Sequence, residues 1–180
     1  MKAPKPGFTI RTATAADAEA LVAIIDEVSR EGRFFLRSKF RQDTDVEAAF
    51  IELTIRHGGT ILVAEADGRV VGWLTLQRDK TPFRRHICLL GMGVLKPFRG
   101  QGIGRKLVNE ALRFARASEG IERIELSVRA TNTAAIALYQ SAGFAYEGRR
   151  IRSVRDDTGH YDDEILMGQL VDAQQAITTR

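Results

Sequence analysis

Arg99-Gly100-Gln101-Gly102-Ile103-Gly104-Arg105 is the stretch on which the reading of this chain turns. It stands between an apolar run, His86 to Leu95, and a segment with helical spacing at Ile103, Leu107, Ala111 and Ala115. A strand passing through glycines into an amphipathic helix fits that pattern. Glycine lets the backbone approach a ligand closely, and the first N–H groups of a helix have no partner inside it. Together with the helix dipole they form an anion site, to which Arg99 and Arg105 add charge-assisted contacts.

Two common phosphate motifs do not fit. A Walker loop ends in Gly-Lys followed by Ser or Thr, whereas this loop ends Gly104-Arg105-Lys106-Leu107. A dinucleotide fingerprint is Gly-x-Gly-x-x-Gly beside the first strand of a βαβ unit. Here Gly100, Gly102 and Gly104 alternate and follow four expected strands. A third reading is the pyrophosphate of coenzyme A, and a fourth is a glycine-rich turn that only tightens packing.

Upstream, Phe8 to Arg11 alternates as a strand, and Thr14 with Asp17 three residues on marks a helix start. Leu21, Val22, Ile24, Ile25 and Val28 give that helix an apolar face, and the stretch Ser29 to Arg41 breaks the pattern. A second helix runs from Asp43-Thr44 to the stop at Gly58-Gly59. Thr60 to Ala66 and Val70 to Leu76 form a hairpin across Asp67-Gly68. Downstream, Ile121 to Val128 is a strand, Asn132 to Ser141 a short helix closed by Gly143, and Phe144 to Val154 with Tyr161 to Leu170 a last hairpin. The order β-α-α-β-β-β-α-β-α-β-β predicts an α/β fold of the α+β kind, with a mixed, partly parallel central sheet flanked by helices. Residues 1–7 read as a loose leader, 8–171 as a single domain and 172–180 as a polar tail.

The chain's 180 residues carry 27 basic and 23 acidic side chains, a net charge of +4. That excess suits a phosphate-bearing ligand and is too weak to argue for nucleic acid. One cysteine, Cys88, excludes an internal disulfide and fits a reducing compartment. No stretch approaches the ~18 apolar residues of a membrane span, so a cytoplasmic protein without membrane or nucleic-acid partners is expected. No metal site is read from the sequence.

With these residues in view, the chain resembles the GCN5-related N-acetyltransferase (GNAT) superfamily. Arg99, Gly102 and Gly104 match its Arg/Gln-x-x-Gly-x-Gly/Ala signature. Asn132-Thr133-Ala134-Ala135-Ile136-Ala137-Leu138-Tyr139-Gln140-Ser141-Ala142-Gly143-Phe144 looks like its Asn-x-x-Ala-x-x-Leu-Tyr-x-x-x-Gly-Phe helix. The likeness covers roughly residues 8–170.

The resemblance implies an acetyl-CoA-dependent N-acetyltransferase with the GNAT-like acyl-CoA N-acyltransferase fold. It implies that the central strand splays at a bulge near Gly93-Val94, and that Gly93, Val94 and Leu95 bind the pantetheine arm. The amides of Gly100, Gln101, Gly102, Gly104 and Arg105, with Arg99, would take the pyrophosphate. Asn132 would meet the pantetheine, and Tyr139 would protonate the leaving thiolate, as a phenol with an ordinary pKa of about 10 is able to do. Transfer would be direct, leaving Cys88 as a core thiol.

Some relatives carry a basic glutamate where this chain has Ser127, and Glu125 is read as lying on the opposite sheet face. Glu31, His86 or a water chain are the remaining candidates for the base. Glu31, Arg33 and Phe34, between the first two helices, are the expected acceptor-binding residues: Glu31 for an ammonium, Arg33 for a carboxylate, Phe34 as a pocket wall. The expected acceptor is the primary amine of a small molecule, with an amino acid among the candidates. Alternatives are a protein N-terminus and a non-catalytic acyl-CoA sensor. A homodimer is common in the resembling family.

Overall fold

The computed structural model describes residues 7–35 and 40–171. The expected tail at 172–180 and all of the expected leader but Gly7 lie outside the described residues.

The elements follow the expected order: β1 (Phe8–Thr12), α1 (Ala18–Arg30), α2 (Thr44–Arg56), β2 (Thr60–Ala66), β3 (Arg69–Arg78), β4 (Ile87–Val94), α3 (Ile103–Ala117), β5 (Arg123–Arg129), α4 (Thr133–Ser141), β6 (Ala145–Arg155) and β7 (Tyr161–Leu170). Asp67 and Gly68 take φ of 50° and 70°, as the two central residues of a type I′ hairpin must. At the entry to α1, Thr14 N donates to Asp17 Oδ2 at 2.8 Å. Asp17 also receives Arg11 Nη1 at 2.8 Å and Nη2 at 2.7 Å, which ties the helix start to β1.

The seven strands form one sheet in the order β1-β2-β3-β4-β5-β7-β6. Among the described residues only β4 and β5 pair in parallel, through the α3 crossover; the remaining pairs are antiparallel. The second strand–helix–strand passage, β5-α4-β6, gives no parallel neighbours, because β7 pairs with both strands and lies between them. Ile165 and Met167 of β7 are buried there.

The sheet's two faces are told apart by side-chain alternation. An added Cβ on Gly72 would meet Ile103 Cγ2 at 3.5 Å, and one on Gly104 would meet Met92 Cε at 3.3 Å, so Gly72 and Met92 face α3. Trp73 faces the other way and stacks on Phe35 at a centroid distance of 5.8 Å. Leu107, Ala111 and Ala115 of α3 are fully buried against the sheet. No helix among the described residues is long and apolar enough to cross a membrane.

Candidate active site

The site begins where the sheet parts. Pairing of β4 with β5 covers only Ile87–Leu89 against Arg123–Glu125. Beyond that, β4 stays with β3 up to Val94 and β5 stays with β7 up to Arg129. The expected bulge at Gly93-Val94 is absent: Trp73↔Gly93 and Gly72↔Val94 continue the β3–β4 register without a shift. The gap opens where the β4–β5 pairing ends, after Leu89 and Glu125. Gly93 matters for packing instead, since a Cβ there would lie 2.3 Å from Trp73 Cη2.

A cavity of about 580 Å³ fills this gap. Met92, Gly93 and Val94 line one wall and Ser127 and Val128 the other. Ser127 lies on the Trp73 face with Phe34 and Phe35, whereas Val128 faces α4, so the cavity passes through the sheet from Tyr139 to the two phenylalanines.

The glycine loop closes one end of the cavity, through Gly100, Gly102, Gly104 and Arg105. Gly102 caps α3 with φ of +91° and Gly100 has φ of +73°. Lys106 N makes the first helical bond, to Gly102 O at 3.0 Å. Among the described residues no acceptor takes the N–H groups of Gly100 through Arg105. Six consecutive amides therefore stand open at a helix N-terminus, which is the donor set a diphosphate requires. An added Cβ at Gly100 or Gly102 would meet nothing within 4 Å, so both glycines border open space.

Arg99 does something different. Its Nη1 and Nη2 donate to Glu31 Oε2 and Oε1 at 2.8 and 2.5 Å, and its Nε donates to Val94 O at 2.8 Å. The guanidinium also lies 4.7 Å from the centre of the Phe34 ring. Both ends of this pair are thereby accounted for inside the protein. Gln101 turns its Nε2 back to Pro97 O at 3.0 Å, and Leu95 is buried in the core. Neither lines the cavity; nor do Glu31 and Arg33.

On α4, Asn132 is the N-cap, and its Oδ1 accepts from Ala135 N at 3.3 Å. Its amide nitrogen remains to donate into the cavity it lines. Tyr139 lines the cavity two turns on and packs edge-on against Phe144 at 5.7 Å. Burial holds its phenol well above the ordinary value, so it stays protonated. Cys88 is fully buried, and desolvation pushes its thiol up to about 11, which makes it a poor nucleophile.

The base candidates are re-sorted by geometry. His86 precedes β4 at the end remote from Val94, roughly 25 Å away along the strand rise. Glu125 shares a face with Ser127, contrary to the expectation, because the two are an even number of residues apart. Its exclusion from the site comes from its ion pairs with Arg84 at 2.8 Å and Arg123 at 2.9 Å. Ser127 Oγ donates to Glu164 Oε1 at 2.9 Å, a contact with β7 that strand order alone does not reveal. Met92, Val28 and Leu138 also line the cavity without having been singled out. No cluster of metal-binding residues occurs among the described residues.

Comparison with known proteins agrees with this geometry. The L-amino acid N-acetyltransferase AaaT of Escherichia coli K12 is 35% identical over 96 residues, which is 53% of this chain and 59% of that protein. An N-alpha-acetyltransferase of Sulfolobus acidocaldarius is 28% identical over 91% of this chain and 92% of its own length. The structure of yncA, described as a putative acetyltransferase of Salmonella typhimurium with its cofactor acetyl-CoA, superposes with a TM-score of 0.85. It has 25% identity and covers 94% of this chain and 96% of that one. The acetyltransferase (GNAT) family model matches residues 22–144. The chain belongs to that family and is, by that membership, an acetyl-CoA-dependent acyltransferase.

Proposed function

We propose that this chain moves an acetyl group from acetyl-CoA to the primary amine of a small molecule, with an amino acid as the favoured acceptor, by direct transfer. The observation that carries this reading is the through-sheet cavity, with open amides and Tyr139 on one face and Phe34, Phe35 and Ser127 on the other. Bound acetyl-CoA supplies an acyl carbon activated by a thiolate leaving group. The amides of Gly100 to Arg105 hold the diphosphate, and Asn132 and the free edge of β4 orient the arm. Tyr139 holds a proton at the point where sulfur departs. Phe34 and Phe35 exclude water from the amine side, which keeps the thioester safe from hydrolysis. Residues 8–171 act as one catalytic domain in this reading.

AaaT, named for L-amino acids, supports a small acceptor. A second reading, acetylation of a protein N-terminus, is favoured by the Sulfolobus N-alpha-acetyltransferase, whose similarity runs along nearly the whole chain. Thiol release from acetyl-CoA with panels of amino acids, polyamines and N-terminal peptides tests both. Preferred turnover of amino acids supports the first reading, preferred turnover of peptides replaces it with the second, and no turnover on any panel refutes both.

A further inference from the structure

The amine acceptor must lose a proton before it attacks, and among the described residues no carboxylate or imidazole lines the cavity. Ser127 does line it, and is exposed there. Its hydroxyl points its hydrogen at Glu164 Oε1, 2.9 Å away on β7. The strand register explains the reach. Ser127 lies opposite Leu166, so Glu164 is its diagonal neighbour on the same sheet face. Glu164 is only 6% exposed and touches the cavity through the serine alone. A serine whose hydrogen is committed to a carboxylate presents its lone pairs to the cavity, where an ammonium group donates.

We infer that Glu164 is the proton acceptor of the amine substrate, reached through Ser127 Oγ. One N–H bond of the ammonium breaks and its proton passes to Ser127 Oγ, while the serine hydrogen passes to Glu164 Oε1. The neutral amine then forms the C–N bond as the C–S bond breaks, with the electron pair leaving on sulfur and the Tyr139 proton joining it. The second amine proton restores Tyr139 through solvent, and Glu164 later releases its own. One proton leaves per turnover, which balances an ammonium substrate giving a neutral amide and a neutral thiol.

The surrounding charges leave one oxygen of Glu164 to the serine. Arg150 of β6 places Nη1 3.6 Å from Glu164 Oε2, at the oxygen not used by Ser127. Arg129, opposite Glu164 on β5, is committed to Asp162 Oδ2 and Gly32 O, each at 2.8 Å. Asp162, two residues earlier on the same face, takes that arginine and Thr131 Oγ1 at 2.6 Å. Glu164 Oε1 is thus the carboxylate oxygen of this cluster directed towards the cavity through a dissociable hydrogen.

The inference rests on the acyl-transfer reading of the same cavity. The test compares kcat/KM between pH 6 and 10 for the wild type, Glu164→Gln and Ser127→Ala, with the best amine of the panel. Each variant is expected to lose about 10²-fold at pH 7, the usual worth of a positioned base. Its rate should then rise with pH towards the amine's own pKa and approach the wild type there. The double variant should be no slower than either single one, because both break one relay. Affinity for coenzyme A by calorimetry should stay within about twofold, since the diphosphate site is untouched. A second readout needs no Glu164 variant. Ser127→Thr keeps a hydroxyl on the same strand face and should regain most of the rate that Ser127→Ala loses, with the wild-type pH profile. An unchanged pH–rate profile in Glu164→Gln, multiplying losses in the double variant, or a Ser127→Thr variant as slow as Ser127→Ala overturns the inference. A wild type that turns over amines while failing these tests leaves the acetyl-transfer reading standing; one that acetylates nothing removes both.

Discussion

Arg99 and Glu31, 68 residues apart, face each other fork to fork, with N–O distances of 2.8 and 2.5 Å. Arg99 opens the glycine loop and Glu31 ends α1, so the pair fastens the glycine-loop end of the cavity to the segment bearing Phe34 and Phe35. Arg99 Nε on Val94 O adds the end of β4 to the same knot. The motif arginine is thus a brace between two cavity-lining segments, and Glu31 is its anchor.

Weakening the brace should loosen both segments. The side chains are 32% and 24% exposed, so the pair is worth less than a buried one and more than a surface one, about 1–2 kcal/mol. Arg99→Lys keeps the charge and loses the fork. Both Arg99→Lys and Glu31→Gln should lower Tm by roughly 2–6 °C, on the scale for a domain of this size. A double-mutant cycle measured by denaturant unfolding should return a coupling above about 0.5 kcal/mol. Additive losses would show that the pair contributes nothing as a pair.

Tyr139→Phe removes only the phenolic hydroxyl and keeps the ring against Phe144. It should lower kcat by about 10²-fold, the lower end for general acid catalysis, with coenzyme A affinity almost unchanged. The raised phenol pKa adds a pH signature. The acid form persists above the ordinary phenol range, so the wild type should show no loss of kcat assignable to Tyr139 up to about pH 10. A Tyr139→Phe variant as fast as the wild type removes this role.

Most of the architecture was legible because its signals are local. Asp67-Gly68 between two alternating runs admits one hairpin, and the glycine loop before Ile103, Leu107 and Ala111 admits one strand-to-helix passage. Features depending on long-range pairing were not legible. Nothing near β6 says that β7 inserts beside β5, and nothing near Ser127 says that Glu164 stands behind it. The motif glycines border the cavity as their spacing suggests, whereas nothing local tells that Arg99, which also lines it, pairs with Glu31. Local sequence shows which side chains carry charge, and only the folded chain shows which of those charges are already spent.

The acid limb of stability should carry the mark of Asp17. Its hydrogen bonds with Arg11 hold its carboxyl down at about 2, below the ordinary carboxylate range. A depressed carboxyl stabilises the fold above its unfolded pKa, near 4, and that stability fades as pH falls through the folded value. The Arg11 side chain is 42% exposed, so solvent screening reduces the full shift to about 1–2 kcal/mol. Urea unfolding of the wild type should lose that amount between about pH 5 and 2. Asp17→Asn should be less stable at pH 7 by a similar amount and flatter over this window. Parallel pH curves for the two proteins would assign the acid limb to other groups.

Gly102 and Gly104 belong to one motif but are glycines for different reasons, and alanine should separate them. Gly102 holds φ of +91° beside open space, so a side chain there meets backbone strain of about 1–2 kcal/mol and projects where the diphosphate is to sit. Gly104 lies inside α3, where a Cβ would meet the tips of Leu138 at 3.2 Å and Met92 at 3.3 Å. Both are flexible ends able to give a few tenths of an ångström, and alanine there gains up to about 1 kcal/mol of helix propensity. Gly102→Ala should therefore weaken coenzyme A binding at least tenfold, roughly 1.4 kcal/mol, and lower Tm. Gly104→Ala should keep or raise Tm with a smaller loss of affinity. Calorimetric titration of both proteins, with a thermal scan of each, separates the two effects. Equal affinity in Gly102→Ala and the wild type would show that the open amides at the start of α3 do not receive the diphosphate.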